Sequence, residues 1–172
     1  MEQATIETER AAAPAQQPAP AGEQPTLLTR DELGAWRGLL RVHAGMTKAL
    51  DAELVREHGL PLSSYEVLLF LADSPQGRMR MSELADGVLL SRSGLTRLVD
   101  RMERGGLLRR RRCEDDQRGW FAEITDDGRA LFQRARKTHL DGVRERFLSH
   151  LSRDEQRTLA SLWEKISPGA AG

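Results

Sequence analysis

Between Ser82 and Ile124 the sequence places two helices so close together, and a strand pair so soon after them, that few folds accommodate the order. Ser82 reads as the cap of a short helix reaching about Gly87. The stretch GVLL then leads to Ser91, a second cap. In the helix that follows, Leu95, Leu98, Val99 and Met102 recur at helical spacing and define one apolar face. Gly105 and Gly106 stop it. Leu107 to Cys113 and Trp120 to Ile124 read as two strands joined by the turn CEDDQRG. A short helix, a tight connection and a longer helix have helix-turn-helix proportions, and a ribbon directly after them makes the unit winged.

The flanks are helical. From about Asp31, Trp36, Leu40, His43, Thr47, Leu50 and Leu54 alternate at +4 and +3, widened by Leu39, Val42 and Met46, until Gly59 and Pro61 end the helix. Ser63 and Glu66 are spaced as a capping box before the apolar run VLLFL, which predicts a central helix closed by Pro75 and Gly77. Residues 79–81, MRM, leave room for one small strand. Thr125 with Asp126 and Asp127 opens a long helix to about His150. A further capping box, Ser152 to Glu155, starts a last helix with Leu159, Leu162, Trp163 and Ile166 on one face. Residues 1–28 are rich in Ala, Pro and Gln, lack the apolar surface to offset ordering entropy, and read as a disordered tail. The expected fold is mainly α with a small β-wing: a winged helix-turn-helix lobe over 60–125, with a helical region formed by 31–57 and 126–167.

Totals exclude several classes. The 172 residues suffice for one compact domain with some tail. No apolar run approaches the ~18 residues of a membrane span. The single cysteine, Cys113, rules out an internal disulfide framework and fits a reducing cytoplasm. No nucleophile elbow, phosphate loop, dinucleotide fingerprint or metal-ligand spacing supports an enzyme or a metal cofactor.

Charge is balanced over the chain, with 26 basic and 26 acidic residues, but not locally. Between positions 92 and 118 nine arginines oppose five acids, a local excess of four positive charges. The outward positions of the helix after Ser91 are Arg92, Ser93, Thr96, Arg97 and Arg101. Arginine reads guanine edges in a bidentate manner, and Ser and Thr contact bases or phosphates. A recognition helix inserts its N-terminal half into the major groove, where these residues sit. On the ribbon, Arg110 and Arg112 alternate onto one strand face suited to phosphates. Arg118 at the turn is placed for the narrow, strongly negative minor groove, and Asp116 is placed to orient its guanidinium. Taken alone, such a hairpin is more often a solvated turn with surface ion pairs. Its position after two closely spaced, capped helices favours double-stranded DNA as partner.

The segments LPLSSYEVLLFLAD, MSELADGVLLSRSGLTRLVDRMERGGLLRRR, the D-Q-R of 116–118 and ITDDGRALF resemble the MarR family of winged-helix transcription regulators, from about Leu33 to Ile166. The resemblance implies a homodimer built from the first and last two helices, two winged lobes on successive major grooves of a palindromic operator, and repression as the usual outcome. The apolar stripe around Trp163 has no evident partner in so small a lobe, and a symmetric copy would bury it. The resemblance also implies release of DNA by a small aromatic or phenolic acid. Trp36, His43 and Tyr65 are the candidate pocket residues, with Arg37 as carboxylate partner, though the same residues suit a core or an interface. Relatives that sense oxidants use a cysteine near the first helix; here Cys113 lies in the wing instead. The competing reading is an interaction module that binds protein or coats DNA without sequence choice.

Overall fold

The computed structural model describes residues 27–88, 90–113 and 119–169. Most of the expected tail (1–26) and the turn 114–118, with Asp116 and Arg118, lie outside the described residues. The elements are α1 (Arg30–His58), α2 (Leu62–Asp73), β1 (Arg78–Arg80), α3 (Met81–Gly87), α4 (Arg92–Arg104), β2 (Leu108–Arg112), β3 (Trp120–Ile124), α5 (Asp126–Arg146) and α6 (Arg153–Ile166). One-turn 3-10 segments occupy 75–77 and 148–150. None of the described helices is long and apolar enough to cross a membrane.

Caps explain most boundaries. Thr29 and Glu32 form a capping box that opens α1, and Gly59, at φ 62°, ends it by donating its N–H to the Leu54 and Val55 carbonyls. The Ser91 hydroxyl accepts the Gly94 amide at 3.1 Å and opens α4, as the sequence predicts. The expected Ser152–Glu155 box opens α6. Two expected caps fail. Helix α2 begins at Leu62 with Pro61 in the cap position, so Ser63 lies inside the helix. The free Leu62 amide is instead satisfied by the Asp51 carboxylate of α1 at 2.9 Å. Helix α3 begins at Met81 rather than after Ser82, and the Arg80 amide donates to Glu83 at 3.3 Å. The strand read at 79–81 falls one residue earlier for the same reason: Met81 is already helical.

That strand also corrects the two-stranded ribbon. β1 pairs antiparallel with β3, giving a three-stranded sheet in the order β1-β3-β2. One face closes the core with Leu108, Ala122 and Ile124. Helix α2 supplies the centre, where Val67, Leu68 and Leu71 are fully buried among Leu54, Leu84, Val99 and Phe132. Its high apolar content follows from being covered on most sides.

A short bolt ties α5 to the turn after α4. Thr125 caps α5 by accepting the Gly128 amide at 3.0 Å, while its hydroxyl donates to the Gly106 carbonyl at 2.6 Å and its own amide to the Leu107 carbonyl at 3.2 Å. Gly128 is required by this contact. A Cβ there would stand 2.0 Å from the Leu107 carbonyl oxygen. Farther along, α5 runs against α1: Gly142 lies so near Leu50 and Glu53 that a Cβ would meet both at 2.7 Å, and Arg146 pairs with Glu53. The Thr138 hydroxyl donates to Glu57 at 2.9 Å and accepts from His58 at 2.8 Å.

Candidate nucleic-acid interface

Helix α4 divides cleanly. Leu95, Leu98, Val99 and Met102 are buried, which fixes the roll of the helix. Arg92, Ser93, Thr96, Arg97 and Arg101 are all exposed on the remaining surface. The Thr96 hydroxyl donates to the Arg92 carbonyl at 2.9 Å, and the Ser93 hydroxyl lies 3.3 Å from that of Ser91. All five expected helix residues therefore share one solvent-facing surface, four of them in the N-terminal and middle turns and Arg101 in the last, offering guanidinium and hydroxyl groups.

The arginine run of the wing sorts into three environments. Arg110 is only partly exposed and is held from three sides. Its guanidinium meets Asp100 at 2.5 Å, Glu103 at 3.3 Å and the Thr96 carbonyl at 3.3 Å, while its backbone amide donates to Glu103 at 2.8 Å. It thus clamps β2 to the side of α4. Arg112, which alternation puts on the same strand face, stands over the Trp120 ring at 5.4 Å. Arg109 and Arg111 point to the other face and share the Glu123 carboxylate at 2.6 and 3.3 Å. The Arg109 hydrogen bond, foremost, holds the Glu123 carboxyl below its ordinary range. Between α4 and the sheet lies an open cleft of about 610 Å³ lined by Arg80, Arg92, Thr96, Arg110 and Trp120 among others.

Three features escaped sequence reasoning. Arg78 and Arg80 both stand over the Phe121 ring, at 5.2 and 5.5 Å; the R-M-R alternation was the available signal. The clamp on Arg110 was signalled by Asp100 and Glu103, three apart on one helix face. Trp120 beside Arg112 follows from strand register, which sequence does not state.

The expected effector residues are not brought together. Trp36, Arg37 and His43 are exposed on α1, whereas Tyr65 is buried with its ring 5.5 Å from Phe132 and stacked 4.5 Å from His139. Burial raises the Tyr65 phenol and the Glu66 carboxyl above their ordinary values, with His43 partly opposing the shift at Glu66. Cys113 is buried at the end of β2, and its amide donates to the Gly119 carbonyl at 3.0 Å.

A helix-turn-helix with a charged outer face and a sheet clamped beside it defines a winged-helix DNA-binding protein. Residues 58–119 match the model of the MarR family. The homoprotocatechuate degradative operon repressor of Escherichia coli is 30% identical over 113 residues, spanning 66% of this chain and 74% of the relative. Among solved structures, AbsC, a MarR family transcriptional regulator from Streptomyces coelicolor, is 35% identical with a TM-score of 0.77, covering 82% of this chain and 95% of its own. A second MarR family regulator of that organism, solved in complex with DNA, is 34% identical with a TM-score of 0.80, covering 88% and 94%. The chain belongs to the MarR family of DNA-binding transcriptional regulators. These relatives are regulators, not enzymes.

Proposed function

We propose that this regulator is a cytoplasmic homodimer that represses transcription by binding a palindromic operator. The observation that carries the reading is the exposed surface of α4, where Arg92, Ser93, Thr96, Arg97 and Arg101 are set by a buried opposite face. In this proposal those residues enter the major groove, and Arg112 and Arg118 contact the phosphates and the minor groove. Arg110 acts chiefly by holding the wing.

Dimerisation through 31–57 and 126–167, with 60–125 as the DNA lobe, is supported by apolar surface that one chain leaves uncovered. Trp36 is 53% exposed, Leu40 48%, Leu162 48% and Ile166 72%, and α6 has no buried residue. Apolar stripes of this kind on two helices call for a symmetric partner. The proposal extends to release of DNA by a small aromatic or phenolic acid. Because Trp36, Arg37 and His43 lie on the exposed stretch of α1, such a site is completed only against the second copy.

Selection of bound duplexes from a random pool, with a solution mass on the same preparation, tests this. The expected result is an inverted repeat with half-sites about one helical turn apart, bound by a dimer. Enrichment of no motif, with salt-sensitive binding to every duplex, would return the function to a sequence-blind DNA coat. Benzoate titrated against the bound operator then tests release; unchanged affinity with it and with phenolic analogues removes the effector from the reading.

A further inference from the structure

Strand alternation carries one large apolar side chain past the end of the core. The residues of β3 on the α4 side of the sheet are Ile124, Ala122 and Trp120, and the first two are buried at 7% and 0% exposure. Trp120, at the wing end of the same row, is 42% exposed. Across the ladder Ala122 faces Arg110 and Trp120 faces Arg112, so this face of the sheet turns from core to charge within two pairs. A lone exposed apolar residue needs no explanation by itself. What singles out Trp120 is its place. It lines the open cleft of about 610 Å³ between α4 and the sheet, together with Arg92 and Thr96 from the outward surface of α4 and Ser82 of α3. No acid lines that cleft among the described residues. The Arg112 guanidinium stands over the indole at 5.4 Å, and the part of the ring left exposed lines the cleft.

We propose that Trp120 packs its indole against a deoxyribose of the operator strand that crosses the mouth of this cleft, an apolar clamp on the DNA backbone. The proposal rests on the operator-binding reading, in which α4 enters the major groove and Arg112 meets a phosphate. A backbone strand touched by both passes between them, and Trp120 stands on the wing side of that passage. Stacked base pairs offer only their edges to a groove, so the apolar surface that a backbone turns sideways is the sugar. An acid-free cleft with guanidinium and hydroxyl groups suits the phosphates on either side of that sugar.

The test follows affinity for the selected operator across a salt series, with acrylamide quenching of tryptophan fluorescence on the same samples. An apolar contact releases no counterion. Trp120→Ala should therefore weaken binding roughly tenfold per bound lobe at low and high salt alike, with the salt slope unchanged. Trp120→Phe should restore most of that affinity. In the native chain the operator should shield part of the fluorescence from acrylamide. That shielded part should be missing from Trp120→Phe, which keeps Trp36 and Trp163 as internal controls. Native affinity in Trp120→Ala would overturn the proposal. So would a lowered salt slope with no further loss on adding Arg112→Ala, since Trp120 would then act only by steadying that guanidinium. Quenching of the native chain unaltered by the operator would overturn it without any substitution. Failure of the native chain to select any operator would instead overturn the regulator reading, and this proposal with it.

Discussion

The winged lobe and the helical arms carry the same signal in sequence and meet different fates in the structure. Stripes on α2 and α4 are buried almost completely, with Leu68, Leu71 and Val99 at zero exposure. Stripes of equal regularity on the first half of α1 and on α6 remain largely open, and α6 has no fully buried residue, Leu159 and Trp163 being half-buried. Helical periodicity therefore states that a face will be covered, but not by which chain. The lobe closes its core within the chain, and the arms leave their apolar stripes open.

The sharpest way to test that division is to perturb each. Phe132→Ala, at 1% exposure where α5 packs into the lobe core beside Tyr65, is expected to cost about 3–5 kcal/mol of unfolding free energy in a denaturant titration. Leu162→Arg on α6 should leave the monomer's lobe folded yet shift the solution mass from dimer to monomer and weaken operator binding through loss of the second half-site. Cooperative unfolding of the lobe by Leu162→Arg would erase the distinction. Next in size, Gly128→Ala drives a methyl into the Leu107 carbonyl and should cost about 1–3 kcal/mol, by thermal unfolding, because the obstruction is backbone. A neutral result would mean that the bolt between α5 and the α4 turn is slack.

Within the wing, Arg110 and Arg112 offer a finer contrast between holding and binding. Both lie on one strand face, but only Arg110 is gripped by Asp100 and Glu103. Arg110→Ala should lower stability by no more than about 1 kcal/mol, since the pairs are partly solvated. It should weaken operator binding with little change in salt slope. Arg112→Ala should leave stability unchanged and reduce the slope by about one phosphate equivalent. A charge-swapped pair, Arg110→Glu with Asp100→Arg, should recover part of the lost affinity. A reduced slope for Arg110→Ala would make it a phosphate contact after all.

Local chemistry was legible and long-range chemistry was not. Ser91, Thr125 and Ser152 declare themselves because a cap is satisfied within three residues. Ser63 misleads because the group that serves the start of α2 is Asp51, eleven residues back on another helix. The five solvent-facing positions of α4 follow from periodicity alone, since its four buried residues leave no other face. The count of surplus arginines, by contrast, treated charges as independent. In the fold, Arg110 is spent on Asp100 and Glu103, and Arg109 and Arg111 on Glu123. The small strand at 79–81 was read to within one residue, but its pairing with β3 was missed, because three residues hold too little pattern to announce a partner more than forty positions away.

The smallest predicted effect lies where lobe and arm meet. His139 of α5 stacks on Tyr65 of α2, and its Nδ1 is buried without a hydrogen-bond partner among the described residues. Burial holds the imidazole below its ordinary value of 6.5, so the folded chain resists a proton that the unfolded chain accepts. The unfolded state then binds more protons as pH falls, and stability, full above 6.5, declines as pH drops through the folded value. Glu66, raised by burial, works in the opposite sense: its contribution is full below 4.5 and is lost as pH rises through its folded value. Only the difference between variants separates the two. His139→Phe keeps the stacked ring and removes the titration, so its advantage over the native chain should grow as pH falls below 6.5, while Glu66→Gln shows the reverse trend. Parallel stability curves for His139→Phe and the native chain would show that solvent reaches the imidazole, and that α2 and α5 meet more loosely than the rest of the lobe core.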